Sequence, residues 1–139
     1  MTAEVFIDSN ILLYSCSSSP EDVAKQKVAE KLVLDLKFGL SSQVLQEFVS
    51  NALKKKNLCI SEPQIDATLE MATLVPVQPV TLELICSAVE LRRRMSVSHW
   101  DSTIIAAAIE LGCHRIYSED LNHGQKYDGV EVINPFLSM

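Results

Sequence analysis

Short apolar runs alternate along this chain with longer segments of helical period, and this alternation constrains the fold more than any other feature. It is typical of a parallel sheet covered by helices, so it predicts an α/β fold. Pro76 weakens the third of the predicted strands. The five predicted strands cover residues 5–7, 38–41, 75–77, 115–118 and 130–133.

Between these runs the spacing of apolar residues predicts amphipathic helices. Residues 43–53 carry an i, i+3, i+4, i+7 stripe formed by Leu45, Phe48, Val49 and Ala52. Gly112 follows the last helix, where a glycine can adopt the left-handed conformation that ends helices. A helix also begins near Asn10, and the others are predicted over residues 21–36, 43–53, 62–74, 82–95 and 99–111.

Length and charge narrow the organisation and the class of function. A chain of 139 residues is one domain, residues 1–139, and can build a core without a disulfide or a structural metal. Twelve Lys and Arg against eighteen Asp and Glu give a net charge of −6, the wrong sign for a protein that holds nucleic acid by its overall charge. Nucleic-acid binding would therefore need local basic patches, or a metal ion that offsets the acids.

Cysteine spacing and hydropathy predict a soluble, cytoplasmic protein. No CxxC pair occurs, so we interpret the four cysteines as reduced packing thiols. The first ten residues, MTAEVFIDSN, lack the positive charge of a signal peptide, and no apolar run reaches the roughly 18 residues that cross a bilayer.

Two acidic sites follow predicted strands directly. Asp8 comes after the strand at 5–7, and Glu119 and Asp120 come after the strand at 115–118. Ligands of parallel α/β domains bind beyond the carboxyl ends of the strands, so these carboxylates would share one edge if the strands are neighbours. An equally simple interpretation is that Asp8 caps a helix and Asp120 stabilises a turn.

Two further acids are candidates on helices. Asp101 fits an S-x-x-D capping box with Ser98, yet it also lies three and four residues before the buried-type Ile104 and Ile105. Glu47 lies nearly opposite the stripe of its helix, which predicts a solvated side chain. Four converging carboxylates would repel one another unless a hard cation such as Mg²⁺ or Mn²⁺ neutralised them, and such a site suits phosphodiester hydrolysis.

Four segments together resemble PIN domains, in the order and spacing of that family and over essentially the whole chain. They are FIDSNILLY at 6–14, QVLQEF at 43–48, HWDSTIIAAA at 99–108 and YSEDLNHG at 117–124. The size and the closing GVEVINPF are similar to VapC-type toxins, which are ribonucleases held inactive by an antitoxin. The resemblance implies a three-layer α/β/α fold around a central, mainly parallel sheet.

The resemblance also implies roles for particular residues. Asn10 and Ser118 match positions that orient water or hold the metal ligands in place, and Glu119 is an additional candidate beside Asp120. Partners would be an RNA substrate, a cognate antitoxin and a second copy of the chain, with partner surface on the helices at 21–36 and 42–55. The implied metal-binding and catalytic set is Asp8, Glu47, Asp101 and Asp120.

Basic runs and histidines remain ambiguous in the sequence. Arg92, Arg93 and Arg94, like the lysines at 54–56, lie near helix C-termini, where they would stabilise the helix dipole. They would instead bind RNA phosphates if they border the acidic edge. The histidines suit surface or turn positions, although His123 is near enough to Asp120 to touch a substrate.

Three classes of function therefore compete. The first is a metal-dependent endoribonuclease, and the second is a PIN module that binds RNA or a partner without cutting. The third is a phosphatase or receiver domain with an acidic pocket, but Asp8-Ser9-Asn10 lacks the second aspartate of a D-x-D phosphatase. The sequence contains no G-x-S-x-G, G-x-G-x-x-G or Walker A segment.

Overall fold

The computed structural model describes residues 3–35 and 37–137. The strands are β1 (Val5–Ile7), β2 (Phe38–Ser41), β3 (Val77–Gln78), β4 (Arg115–Tyr117), β5 (Lys126–Tyr127) and β6 (Val130–Ile133). The helices are α1 (Ser9–Cys16), α2 (Val23–Asp35), α3 (Ser42–Lys54), α4 (Glu62–Ala72), α5 (Leu82–Met95) and α6 (His99–Glu110).

The strands form one sheet in the order β3-β2-β1-β4-β6-β5, flanked by helices. Every pairing is parallel except that between β5 and β6. The α/β prediction is confirmed, and a strand lies at or beside each of the five predicted positions, although the third is shifted from residues 75–77 to Val77–Gln78 because Pro76 has no N–H to donate. The sixth strand, β5, was not predicted, because a strand of two residues is too short to show an alternating apolar pattern. The Asp128-Gly129 pair that follows it is a typical sequence of a tight β-hairpin turn.

The predicted helices are present, with shifts at their ends. Residues 20–22 form a 3₁₀ turn opened by Pro20, so α2 begins at Val23 rather than at residue 21. Residue 36, where that helix was predicted to end, lies outside the described residues. Gly112 has a φ of 77°, which is the left-handed conformation predicted for the glycine that follows the last helix.

The buried stripe of α3 differs from the predicted one by one position. Val44, Phe48 and Ala52 are its buried residues, whereas Leu45 and Val49 are only half-buried. Because helical positions repeat about every 3.6 residues, Glu47 then lies beside the buried stripe instead of opposite it. The prediction of a solvated Glu47 is therefore wrong, and its side chain is half-buried.

The core is centred on β1 and α6. All three residues of β1 are buried, and α6 is buried continuously from Ser102 to Ala108. A helix buried all round must be covered by neighbours on both sides, and α6 packs against α5 as well as against β2, β4 and β6. This packing fixes the first turn of α6 relative to the carboxyl ends of the strands.

Among the described residues, no helix is long and apolar enough to cross a membrane.

Gly112 allows a direct test of the turn that connects α6 to β4. We expect Gly112→Ala to lower the free energy of unfolding by about 1 kcal/mol, because a Cβ disfavours positive φ. Nothing lies within 4 Å of a Cβ built at this position, so backbone strain is the whole effect. Gly112→Asn is the matched control and should lose less, since asparagine tolerates this conformation. Urea denaturation of the parent and the two variants measures the free energy of unfolding. Equal losses for Gly112→Ala and Gly112→Asn would contradict the view that positive φ is the cause.

Candidate functional site

Asp8 lies at the carboxyl end of β1 and caps α1. The register Ile7 to Tyr117 places it beside β4, and its backbone N–H donates to the Tyr117 carbonyl at 3.0 Å. One carboxylate oxygen accepts from the Ser9 N–H at 2.7 Å, and the other accepts from the Ser118 hydroxyl at 2.7 Å. The side chain is only 3% exposed, so its charge depends on these donors rather than on water.

Ser118 joins the end of β4 to Asp8. Its buried hydroxyl donates to Asp8 and accepts from the backbone N–H groups of Asp120 and Leu121, at 3.1 and 3.2 Å. One hydroxyl thus fixes both the Asp8 carboxylate and the loop that carries Asp120. This contact agrees with the predicted role of Ser118.

Asn10 connects the two strand ends from the first turn of α1. Its amide Nδ2 donates to Asp8 at 3.3 Å and to Asp120 at 3.2 Å, and its Oδ1 accepts from the Glu119 N–H at 3.1 Å. The prediction that Asp8 and Asp120 share one edge of the sheet is confirmed by this bridge.

Glu47 reaches the same place from α3. Its Oε2 accepts from the Ser9 hydroxyl at 3.1 Å, and its Oε1 accepts from the Gln43 amide at 2.8 Å. Ser9 therefore lies between Asp8, to which its backbone donates, and Glu47, to which its side chain donates. We use the name acid cluster for Asp8, Glu47 and Asp120.

Burial within the acid cluster raises the pKa of Asp8 from 3.8 to about 6. Burial is the largest cause, hydrogen bonds from Ser118 and Ser9 lower the pKa, and the negative charges of Glu47 and Asp120 raise it again. The described donors to Asp8 are an N–H, a hydroxyl and an amide, all neutral. The site thus concentrates negative charge that its own hydrogen bonds do not neutralise.

Asp101 stands apart from the acid cluster in its contacts. Its backbone N–H donates to the Ser98 hydroxyl at 3.1 Å, so Ser98 is the N-cap of α6, but among the described residues the Asp101 carboxylate does not accept from the Ser98 N–H, and the predicted capping box is only half formed. Its half-buried carboxylate makes no hydrogen bond to any residue between 3 and 137 that the structure describes. Burial raises the pKa of Tyr127 and the charge of Asp101 raises it further, which places Asp101 near that phenol.

Glu119 is held by another set of side chains. It pairs with Lys25 and accepts from the Tyr14 hydroxyl at 2.9 Å. The Lys25 ammonium also lies 4.8 Å from the centre of the Tyr14 ring and 5.4 Å from that of Phe136. Glu119 already has a cation, unlike the acid cluster, so its side chain is a poor candidate for a metal ligand. Sequence reasoning missed this pairing, because Lys25 and Glu119 are remote from each other along the chain.

Within residues 3–35 and 37–137, no three acidic, histidine or cysteine side chains are arranged so that they could hold a metal ion as they stand. The Asn10 amide lies between Asp8 and Asp120 instead. Hydrogen bonds therefore bring together three of the four predicted acids, and they do not include Asp101.

Two clefts flank the acid cluster. The smaller, of about 200 Å³, contains Asn10, Asp120 and Lys55. The larger, of about 760 Å³, contains Glu47, His99 and Trp100. We call them the lysine cleft and the tryptophan groove.

Of the residues predicted to contact RNA, Arg92, Arg93 and Arg94 line neither cleft, and Arg94 forms a bidentate pair with Asp128. His123 accepts from the Asn134 N–H at 2.9 Å, in agreement with a turn residue.

Solved structures resemble this fold over most of its length. VapC20 of Mycobacterium tuberculosis, described as a sarcin-ricin loop cleaving toxin, has a TM-score of 0.65 and 22% identity, covering 84% of this chain and 90% of that one. A toxin-antitoxin complex from Klebsiella pneumoniae has a TM-score of 0.68 and 16% identity, covering 96% and 98%. VapBC2 from Rickettsia felis, bound to a promoter DNA fragment, has a TM-score of 0.64 and 16% identity, covering 92% and 96%.

Among curated protein sequences there is no significant match. The sequence profile of the PIN domain matches residues 5–128, a range that contains all four predicted acids together with Asn10 and Ser118. This match spans most of the 139 residues, and the chain belongs to the PIN domain family.

Proposed function

We propose that this chain is a divalent-metal-dependent endoribonuclease, a VapC-like toxin that hydrolyses RNA phosphodiester bonds. The observation that carries the proposal is the acid cluster, in which a buried Asp8 is crowded by two further carboxylates and receives only neutral donors. Membership of the PIN family supports a nuclease, and the similar structures include a toxin described as cleaving the sarcin-ricin loop. That membership also removes the receiver and phosphatase alternatives.

The donor chemistry of the acid cluster fits a hard divalent cation. Carboxylate oxygens are the ligands that Mg²⁺ and Mn²⁺ prefer, and the site contains neither thiolate nor imidazole donors that would favour zinc. A cation would also offset the repulsion that helps to raise the pKa of Asp8. The acid cluster therefore suits a hard divalent cation both in the type of its ligand atoms and in its negative charge.

We assign the metal to Asp8, Glu47, Asp101 and Asp120. When bound, a divalent ion would bind phosphate oxygens and lower the pKa of an attacking water. Asp101 belongs to this set by the family resemblance, and the lack of a described hydrogen bond leaves its carboxylate able to reorient. Asn10 and Ser118 would hold the carboxylate of Asp8 and the loop of Asp120 in fixed positions relative to each other.

The partners proposed for this chain are RNA, a cognate antitoxin and a second copy of itself. Two of the similar structures are toxin-antitoxin assemblies, which supports an antitoxin. For RNA, Lys55 in the lysine cleft is the one lysine or arginine among the described residues that line the two clefts. A PIN module that binds without cutting remains the competing function, and cleavage assays separate the two.

The first test is cleavage itself. We expect the purified chain, free of antitoxin, to cut single-stranded RNA in Mg²⁺ or Mn²⁺ and to stop in excess EDTA, because the attacking water needs the metal. Gel electrophoresis of a labelled RNA measures cleavage with the metal and with EDTA. Undiminished cleavage in EDTA would rule out the metal, and binding without any cleavage would favour the non-catalytic module.

The second test separates metal ligands from other acids. Asp8→Asn, Asp101→Asn and Asp120→Asn should each reduce cleavage by at least about 100-fold, as expected when a ligand is lost. Asp128→Asn is the matched control, because Asp128 pairs with Arg94 and its left-handed backbone suits asparagine. Full activity of Asp101→Asn would remove Asp101 from the set, and a loss in Asp128→Asn would show that the assay reports general damage.

The third test uses the pKa of Asp8. An acid whose folded pKa is about 6 and whose ordinary value is 3.8 binds its proton more tightly in the folded state. The free energy of unfolding in metal-free buffer should therefore fall as the pH rises from 4 towards 7, by roughly 3 kcal/mol from this group.

Asp8→Asn removes the titrating group and serves as the comparison. The amide replaces one carboxylate oxygen by an NH₂ group that cannot accept from Ser9 or Ser118, so the two proteins differ in absolute stability, and only the slopes are compared. Urea denaturation at several pH values should show a shallower fall in the variant. Parallel curves for the two proteins would mean that Asp8 titrates normally.

A further inference from the structure

The tryptophan groove lies between the first turns of α3 and α6. Trp100 forms one wall and is 67% exposed. The His99 ring meets the indole edge to face, with centres 5.0 Å apart and planes at 66°. Val80 and Ile85 contribute apolar surface. The groove therefore offers one flat aromatic face beside aliphatic side chains.

The backbone below Trp100 is held firmly although its ring is exposed. The Trp100 carbonyl accepts from the Gln43 amide at 3.3 Å, which ties α6 to α3. The next residues of α6, from Ser102 onward, are buried. The backbone that carries the indole is therefore in place before a ligand arrives, so binding does not have to order it.

The groove does not have the chemistry of a phosphate site. None of its described lining residues is lysine or arginine. Its polar groups are the hydroxyls and amides of Ser42, Thr103, Gln43 and Gln46, the imidazole of His99 and the carboxylate of Glu47, which would repel a phosphate. The Oε1 of Gln43 is buried and has no hydrogen-bond partner among the described residues, so this acceptor becomes available to a ligand N–H only if the Gln43 side chain turns towards the groove. A planar ring with polar edges matches this lining better than a charged group does.

The groove is continuous with the acid cluster. Gln43 donates to one oxygen of Glu47, and Ser9 donates to the other. The lysine cleft, with Asn51 and Lys55, lies beside Asn10 and Asp120 on another side of the cluster. An aromatic groove and a basic cleft thus flank the same acids.

We propose that the tryptophan groove is a nucleobase subsite, in which Trp100 stacks on an unpaired base of single-stranded RNA next to the phosphate that the acid cluster cleaves. The inference rests on the proposed ribonuclease function and adds the substrate group that this surface binds. Stacking tolerates any base, while the amide edges of Gln43 and Gln46 would favour particular ones.

The fluorescence of Trp100 provides a direct readout, because it is the only tryptophan of the chain. In EDTA, where no cleavage is expected, short single-stranded RNA should quench the emission in a saturable manner. Oligonucleotides with one abasic position, moved along the strand, should lose quenching at one position. That position should be next to the bond cut in Mg²⁺.

Variants test the stacking contribution by fluorescence anisotropy of labelled RNA. Trp100→Ala should weaken binding roughly 5- to 100-fold, the effect of losing one stacked base, and Trp100→Phe should keep most of the affinity. The abasic oligonucleotide should bind Trp100→Ala and the parent equally. Leu74→Ala is the control, since Leu74 is 76% exposed and lines neither cleft. Thermal melting confirms that each variant is folded.

The outcomes separate this inference from the function on which it rests. If the parent cuts RNA but Trp100→Ala binds and cuts like the parent, the base subsite is wrong and the ribonuclease stands. If the emission responds to protein concentration instead of RNA, the groove binds a second copy, which also overturns the proposal. If the parent neither binds nor cuts RNA in Mg²⁺ or Mn²⁺, the proposed function itself fails.

Discussion

The hydrogen bond from Ser118 to Asp8 is the contact on which the site depends. It forms because β1 and β4 are parallel neighbours and end at the same level, so that residues 110 positions apart in the chain meet. The same hydroxyl accepts two backbone N–H groups from the loop that carries Asp120. The register of two three-residue strands therefore decides the distance between the acids. Burial at this junction excludes water and strengthens both the hydrogen bonds and the repulsion among the carboxylates.

Sequence reasoning reached the part of the site that the strands determine. Asp8 and Asp120 follow apolar runs closely, and the carboxyl ends of parallel strands meet at one edge of a sheet, so the sequence alone predicts that they lie together. Glu47 was different, because periodicity centred on Leu45 placed it on the wrong face and only the family resemblance selected it. A shift of one residue in the stripe turns a helix by about 100°, so sparse apolar patterns cannot resolve such a side chain.

The features that the sequence did not reveal depend on contacts between distant residues. The pairing of Lys25 with Glu119 makes that acid a poor candidate for a metal ligand, and nothing in the local sequence of either residue indicates the pairing. The exposure of Trp100 was equally hidden, since a tryptophan at the start of an apolar helix would ordinarily be expected in the core. Asp101 shows the remaining ambiguity, because its backbone N–H is capped by the Ser98 hydroxyl while its carboxylate takes no part in the cap.

The edges of the sheet have a consequence for association. Both edge strands, β3 and β5, are two residues long, and Pro76 and Pro79 flank β3. Proline has no N–H to donate, and so short a strand offers few free backbone groups to an incoming chain. The sheet is thus protected against extension by strand addition and against edge-to-edge aggregation. Any protein that binds this molecule has to do so through helices, loops or clefts, with side chains rather than a shared backbone ladder providing the specificity.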